Sequence, residues 1–239
     1  MKLTFKHSGD MGDIIFSLPT VRALCSEGAI LYLDPKGGKN EPLVQGTDRG
    51  DYTRLDENSI ESLKPLLEMQ PYIKEVKVWN GEKVDYNLDE FRKHIKFNNL
   101  AVSHLEAFNL SHNHINSAWL EVDKSAELEK KKVIARSLRY HGNNIFWSHM
   151  KLKGEFEDAC YVGLPLEHEA FESTFEVSIP RVDTPTLLDV ARVVAGADVV
   201  FANQNVVHAI AEGMKKRLFN EVFRIYPAAV FEREGADYV

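Results

Sequence analysis

The chain has 239 residues, 44% of them apolar and 27% charged, and a formal net charge of -7. This is the composition of a globular protein with room for two modest cores, and it excludes disordered, fibrous and collagen-like chains. The negative balance argues against broad nucleic-acid binding, which needs a surplus of clustered Lys and Arg.

No apolar run reaches the roughly 18 residues of a membrane span, and the N-terminal stretch breaks off too early for a signal-peptide core. The expected compartment is therefore the cytoplasm. Cys25 and Cys160 are far apart and lack a CxxC spacing, so they read as small buried apolar residues rather than a disulfide or thiolate metal site. The basic clusters at Lys130, Lys131 and Lys132 and at Lys215, Lys216 and Arg217 read as a solvated linker and a helix end.

In chain order, residues 3–5 predict a short strand, 8–13 a glycine-containing loop, 14–24 a helix and 29–33 a second strand. Such a unit favours a parallel sheet, whose ligands collect at the carboxyl ends of the strands. Pro19 is expected to kink the helix or to sit near its first turns. Residues 35–58 read as a long polar loop, 60–69 as a helix and 76–79 as a strand, while 84–107 carries loosely spaced helical faces.

The run 128–132 is the best linker, which sets the expected domains at 1–128 and 129–239. Beyond it come strands at 133–135 and 159–163, a helix at 186–195, a strand at 198–202, a helix at 206–214 and a strand at 217–222. Thr184 and Pro185 read as the N-cap and first position of the helix that follows. The predicted class is α/β, with two Rossmann-like halves.

Three constellations could carry chemistry. In Gly9-Asp10-Met11-Gly12-Asp13, the glycines permit close backbone approach and the following helix N-terminus offers unpaired N–H groups. Two carboxylates facing a diphosphate would repel it, so Asp13 and Asp10 suit a general base better. As plain structure Asp13 caps the helix, and the residues alone leave both roles open.

The second is Asn203-Gln204-Asn205-Val206, followed by His208 and Glu212, where a strand enters a helix through three amides. Helix-start N–H groups there suit diphosphate oxygens, although amides also cap helices with no further role. His208 and Glu212 share a helix face, and no third ligand has the spacing of a metal site. The third is Arg136 and Arg139, after the strand at 133, which could bind phosphate oxygens bidentately or could stand as ordinary surface arginines.

Two of these segments resemble glycosyltransferase family 9, the ADP-heptose:lipopolysaccharide heptosyltransferase-like group. Gly12-Asp13-Ile14-Ile15 and Leu18-Pro19-Thr20-Val21-Arg22-Ala23-Leu24 match its N-terminal pattern. Asn203-Gln204-Asn205-Val206-Val207-His208-Ala209-Ile210-Ala211 keeps the His and small residues of its C-terminal pattern, with Asn-Gln-Asn in place of Asp-Ser/Thr-Gly. The likeness covers residues 1–34 and 184–222 and is weak between.

The resemblance implies a compact GT-B fold, in which two Rossmann-like domains with parallel sheets face an interdomain cleft. It implies an inverting, metal-independent transfer from a nucleotide-diphosphate sugar, which acts as co-substrate with no separate cofactor. By it, Asp13 is the catalytic base with Asp10 as reserve, and the donor site holds Gly12, Arg136, Arg139, Asn203, Gln204, Asn205, Val206, His208 and Glu212. Glu212 is expected on the ribose hydroxyls.

The acceptor is a glycan or a hydroxymethylated DNA base, the latter needing a basic rim that Lys36, Lys39, Arg49 and Arg54 could supply. A catalytically inactive nucleotide-sugar-binding module is the alternative from another class. An epimerase or hydrolase on the same scaffold carries less weight, and the lack of GxGxxG after a first strand argues against an oxidoreductase.

Overall fold

The computed structural model describes residues 2–35, 55–97, 99–124 and 132–239. Most of the loop read over 35–58, with Lys36, Lys39, Arg49 and Arg54, lies outside the described residues, as do Lys130, Lys131 and the boundary expected between 128 and 129. The chain divides into two compact units, Met1–Glu121 with Thr186–Leu188, and Val122–Pro185 with Asp189–Val239.

The N-terminal unit runs β1 (Thr4–His7), α1 (Met11–Leu24), β2 (Ala29–Leu33), α2 (Glu57–Glu68), β3 (Ile73–Val78) and β4 (Tyr86–Asn87). A 3-10 helix at Leu88–Phe97 and α3 (Leu100–Glu106) follow. The sheet is parallel with order β3-β2-β1-β4, so β2 and β3 extend it to one side of β1 and β4 to the other. Strand order reverses at β1 and β4, the position at which open α/β sheets take up ligands.

α1 starts at Met11, three residues before the expected helix, so Gly12 and Asp13 stand inside its first turn rather than in a loop. The helix is buried from Ile14 through Val21. Ile14, Ile15, Leu18 and Val21 are fully buried, each contributing about 1.5–3 kcal/mol. Pro19 lies well inside the helix, where its missing N–H leaves the Ile15 carbonyl without the usual partner. α2 and α3 are capped by Asp56, which accepts from Ser59 N–H at 2.7 Å, and Asn99, which accepts from Val102 N–H at 2.9 Å.

The C-terminal unit runs β5 (Lys132–Ala135), α4 (Ile145–Leu152), β6 (Ala159–Tyr161), α5 (Pro165–Phe175), α6 (Leu187–Gly196), β7 (Val199–Asn203), α7 (Val206–Gly213), β8 (Leu218–Glu221) and β9 (Ala236–Tyr238). The sheet is again parallel, with order β6-β5-β7-β8-β9 and a reversal at β5 and β7. Val133, Ile134, Val200 and Phe201 are buried, as expected of strands covered on both faces. Trp147, Phe171 and Phe175 pack with Ile134, Tyr161 and Phe201 in one cluster.

α6 begins at Leu187, so Pro185 precedes it by two residues instead of occupying its first position. Cys25 and Cys160 are both buried. Among the described residues no helix is long and apolar enough to cross a membrane.

Candidate functional site

In the N-terminal unit Asp10 closes the turn after β1 and Gly12 and Asp13 open α1, at the reversal between β1 and β4. Asp10 occupies the N-cap position of α1. Asp13, three residues on, accepts at Oδ2 from the Asp10 backbone N–H at 3.1 Å, the reciprocal half of a capping box. The carboxylate thus sits over the helix N-terminus, partly exposed, where the dipole favours negative charge. Gly9 makes this approach possible, because a Cβ there would lie 2.7 Å from Asp13 Oδ2 and 2.6 Å from His7 Cε1.

Two groups that sequence reasoning missed, one buried and one half-buried, hold this turn. His7, the last residue of β1, accepts the Gly9 N–H at Nδ1 over 2.8 Å. Asp89 accepts from Ser8 N–H at 3.0 Å and Ser8 Oγ at 2.8 Å, and also pairs with Lys6 and Arg92. Burial would raise the Asp89 carboxyl, but His7, Arg92 and Lys6 outweigh it and hold the group well below the usual carboxylate range.

In the C-terminal unit Arg136, Ser137 and Arg139 follow β5, while Gln204 and Asn205 follow β7, again at the reversal. The three amides stitch the strand ends together. Asn203 is buried, accepts from Ser137 N–H at 2.9 Å and donates to the Arg139 carbonyl at 2.7 Å. Gln204 donates to the Tyr226 carbonyl and accepts from Phe223 N–H, both at 2.8 Å.

Asn205 caps α7 by accepting from His208 N–H at 3.0 Å, and it donates to the Ala135 carbonyl at 3.0 Å. The amide side chains therefore shape the site. What α7 offers a ligand is its opening backbone, since the N–H groups of Val206 and Val207 have no intrahelical acceptor.

Arg136 donates to Glu221, with Nε 3.1 Å from Oε2. Glu221, at the end of β8, also accepts from Trp147 Nε1 at 2.6 Å and Gly142 N–H at 2.9 Å. Arg139 is half-buried; its guanidinium lies 5.6 Å from the Tyr140 ring and its charge acts on Glu167. The carboxyl of Glu167 is raised by burial, against the pull of the Leu164 amide, Arg139 and the Leu138 amide.

Glu212 is fully buried, with Lys215 Nζ at 2.5 Å from one oxygen and Arg233 Nε at 2.8 Å from the other. Its carboxylate is engaged by these cations inside the unit, where the resemblance implied a contact with the ribose hydroxyls. His208 is buried beside Tyr238, and burial, with a smaller push from Arg233, lowers it to about 3. Among the described residues no group of three or more His, Cys, Asp or Glu is placed to hold a metal ion.

No protein-family model matches the sequence, and no curated protein matches it. Solved structures do. The glycosyl transferase family 9 protein from Veillonella parvula superposes with a TM-score of 0.61 at 12% identity, over 100% of this chain and 85% of that one. Escherichia coli heptosyltransferase WaaC with ADP-2-deoxy-2-fluoro heptose gives 0.61 at 10% identity, over 100% and 93%. E. coli ADP-heptose lipopolysaccharide heptosyltransferase II gives 0.53 at 11% identity, over 100% and 90%. The chain has the fold of these glycosyltransferases, as the resemblance of its two end segments led us to expect.

Proposed function

We propose that the protein is a glycosyltransferase that moves a sugar from a nucleotide-diphosphate donor to an acceptor hydroxyl, with inversion at the anomeric carbon. One observation carries this reading. In each unit taken alone, the candidate residues other than His208 and Glu212 stand at or just beyond the carboxyl ends of the strands where the sheet order reverses. The fold shared with heptosyltransferases supports it, and the ADP-2-deoxy-2-fluoro heptose held by WaaC, with the ADP-heptose in the name of heptosyltransferase II, makes an adenosine-diphosphate sugar the first donor to test. Such a donor fits a cytoplasmic enzyme.

In this mechanism the acceptor oxygen attacks the anomeric carbon while the Asp13 carboxylate takes its proton. The bond from that carbon to the donor's terminal phosphate oxygen breaks, and the nucleoside diphosphate leaves with the electron pair. The opening amides of α7 and the Arg139 guanidinium meet the charge that develops on the leaving group. Arg136, held by Glu221, shapes the loop that presents Arg139.

A thermal-shift series against ADP, GDP, UDP, CDP and TDP, each with and without an attached sugar, tests the reading. A true donor nucleotide at a hundred times its Kd stabilises the fold by about 2.7 kcal/mol, and the matching sugar donor is turned over. Stabilisation without turnover identifies a non-catalytic binding module. No stabilisation by any nucleotide removes the donor-site assignment.

A further inference from the structure

The N-terminal unit buries two histidines that the proposed chemistry does not use. His7 at the end of β1 and His104 on α3 are fully buried, with Nε2 atoms 3.0 Å apart, and Phe91 stacks on His104 at 4.0 Å. Their tautomers follow from the two ends of the chain of contacts. His104 Nδ1 lies 2.7 Å from the Leu100 carbonyl, which can only accept, so this nitrogen carries the hydrogen. Nε2 of the neutral ring is then bare, and His7 must donate to it through its own Nε2–H.

That leaves His7 Nδ1 bare, and there the Gly9 N–H finds its acceptor. All hydrogens and lone pairs match in one arrangement, which needs both rings neutral. Burial keeps them so, holding His7 at about 4 and His104 well below its ordinary range.

Three successive backbone amides of the turn thus each have a side-chain acceptor: Ser8 on Asp89, Gly9 on His7, and Asp10 on Asp13. We propose that His7 and His104 are positioning residues for Asp13, since their hydrogen-bonded chain anchors the middle amide and so fixes the neighbouring amide that orients the Asp13 carboxylate. The role assigned to Asp13 rests on the transferase reading. The anchoring of the turn does not.

The test compares His104→Gln, which keeps an oxygen acceptor for His7 Nε2–H, with His104→Leu, which leaves that donor buried and unsatisfied. Amide exchange at Gly9 and Asp10 is read by NMR, and kcat and KM are read with ADP-heptose as donor.

His104→Leu is expected to speed exchange at both amides by about tenfold or more and to cut kcat by at least that factor, with KM within about threefold; His104→Gln restores both. Unchanged exchange in His104→Leu, or equal losses in the two variants, overturns the proposal. Imidazole 15N shifts of the unmodified protein supply a check that survives a misfolded variant. At pH 7 they must show hydrogen on His104 Nδ1 and His7 Nε2, and any other tautomer overturns it. Turnover in Asp13→Asn equal to that of the parent, with the exchange pattern as expected, would reject Asp13 as base while leaving the anchored turn.

Discussion

Arg136 and Glu221 form an ion pair whose side chains are only 9% and 4% exposed, joining the end of β5 to the end of β8. Trp147 Nε1 and the Gly142 amide complete the set of donors to Glu221. The carboxylate therefore organises the loop that carries Arg139.

Removing that carboxylate strands a nearly buried guanidinium. Glu221→Ala is expected to destabilise the C-terminal unit by about 3 kcal/mol, because loss of one partner of a buried pair costs far more than the pair contributes. Urea unfolding followed by Trp147 fluorescence reads this. A loss below about 1 kcal/mol, the scale of an exposed pair, would show that solvent reaches Arg136 in the folded state.

Acid should destabilise the fold well above the carboxylate range. His7 and His208 stand at about 4 and about 3 when folded, against an ordinary 6.5, and burial is the leading cause for both. Below 6.5 the unfolded chain binds protons that the folded one excludes, so this stability is fully present above 6.5 and is lost as pH falls toward 4. At pH 5 each histidine alone costs about 2 kcal/mol.

His104, also held low by burial, acts in the same direction, and so does Asp89 below its ordinary range. Around His7, Asp89 and Asp10 assist protonation while Arg92 and Lys6 oppose it. A Tm that falls steadily between pH 6.5 and 5 agrees with this account, and a flat profile there contradicts it.

Glu212 acts inside the fold. With both oxygens engaged by Lys215 and Arg233, Glu212→Gln should lower stability by about 2 kcal/mol or more. ADP affinity of the folded variant should stay within about threefold. Calorimetric titration with ADP reads the affinity, and a loss of tenfold or more would restore a ribose contact for this residue.

The legible parts of the fold were those with a strong local signal. Ala29–Leu33 matches the predicted strand, and β7 and α7 match theirs to within a residue or two at the ends, because doubly covered strands read as apolar runs and Asn205 marks a cap. α5 was missed because most of its surface is polar and only Phe171 and Phe175 turn inward, although Pro165 at its first position was a usable sign. β4 is two residues long and exists through its pairing with Phe5 and Lys6, which no local pattern encodes.

At the site, Asp13 and the amides could be found by motif, but what their side chains touch could not. His7 and His104 lie 97 residues apart, and only the packing of α3 against α1 and the 3-10 helix at Leu88–Phe97 brings them together. Asn203 and Gln204 read as ligand groups, yet their hydrogen bonds close on neighbouring backbone. A residue's type announces what it can bond to; the choice among partners belongs to the tertiary fold.

The most direct test is steady-state kinetics of Asp13→Asn with the nucleotide-sugar donor selected by the thermal-shift series. Loss of a positioned general base predicts a fall in kcat of about 10²–10⁴-fold, with donor affinity held within about threefold. Turnover near that of the parent protein would contradict Asp13 as the base, and with it the catalytic reading of the turn after β1.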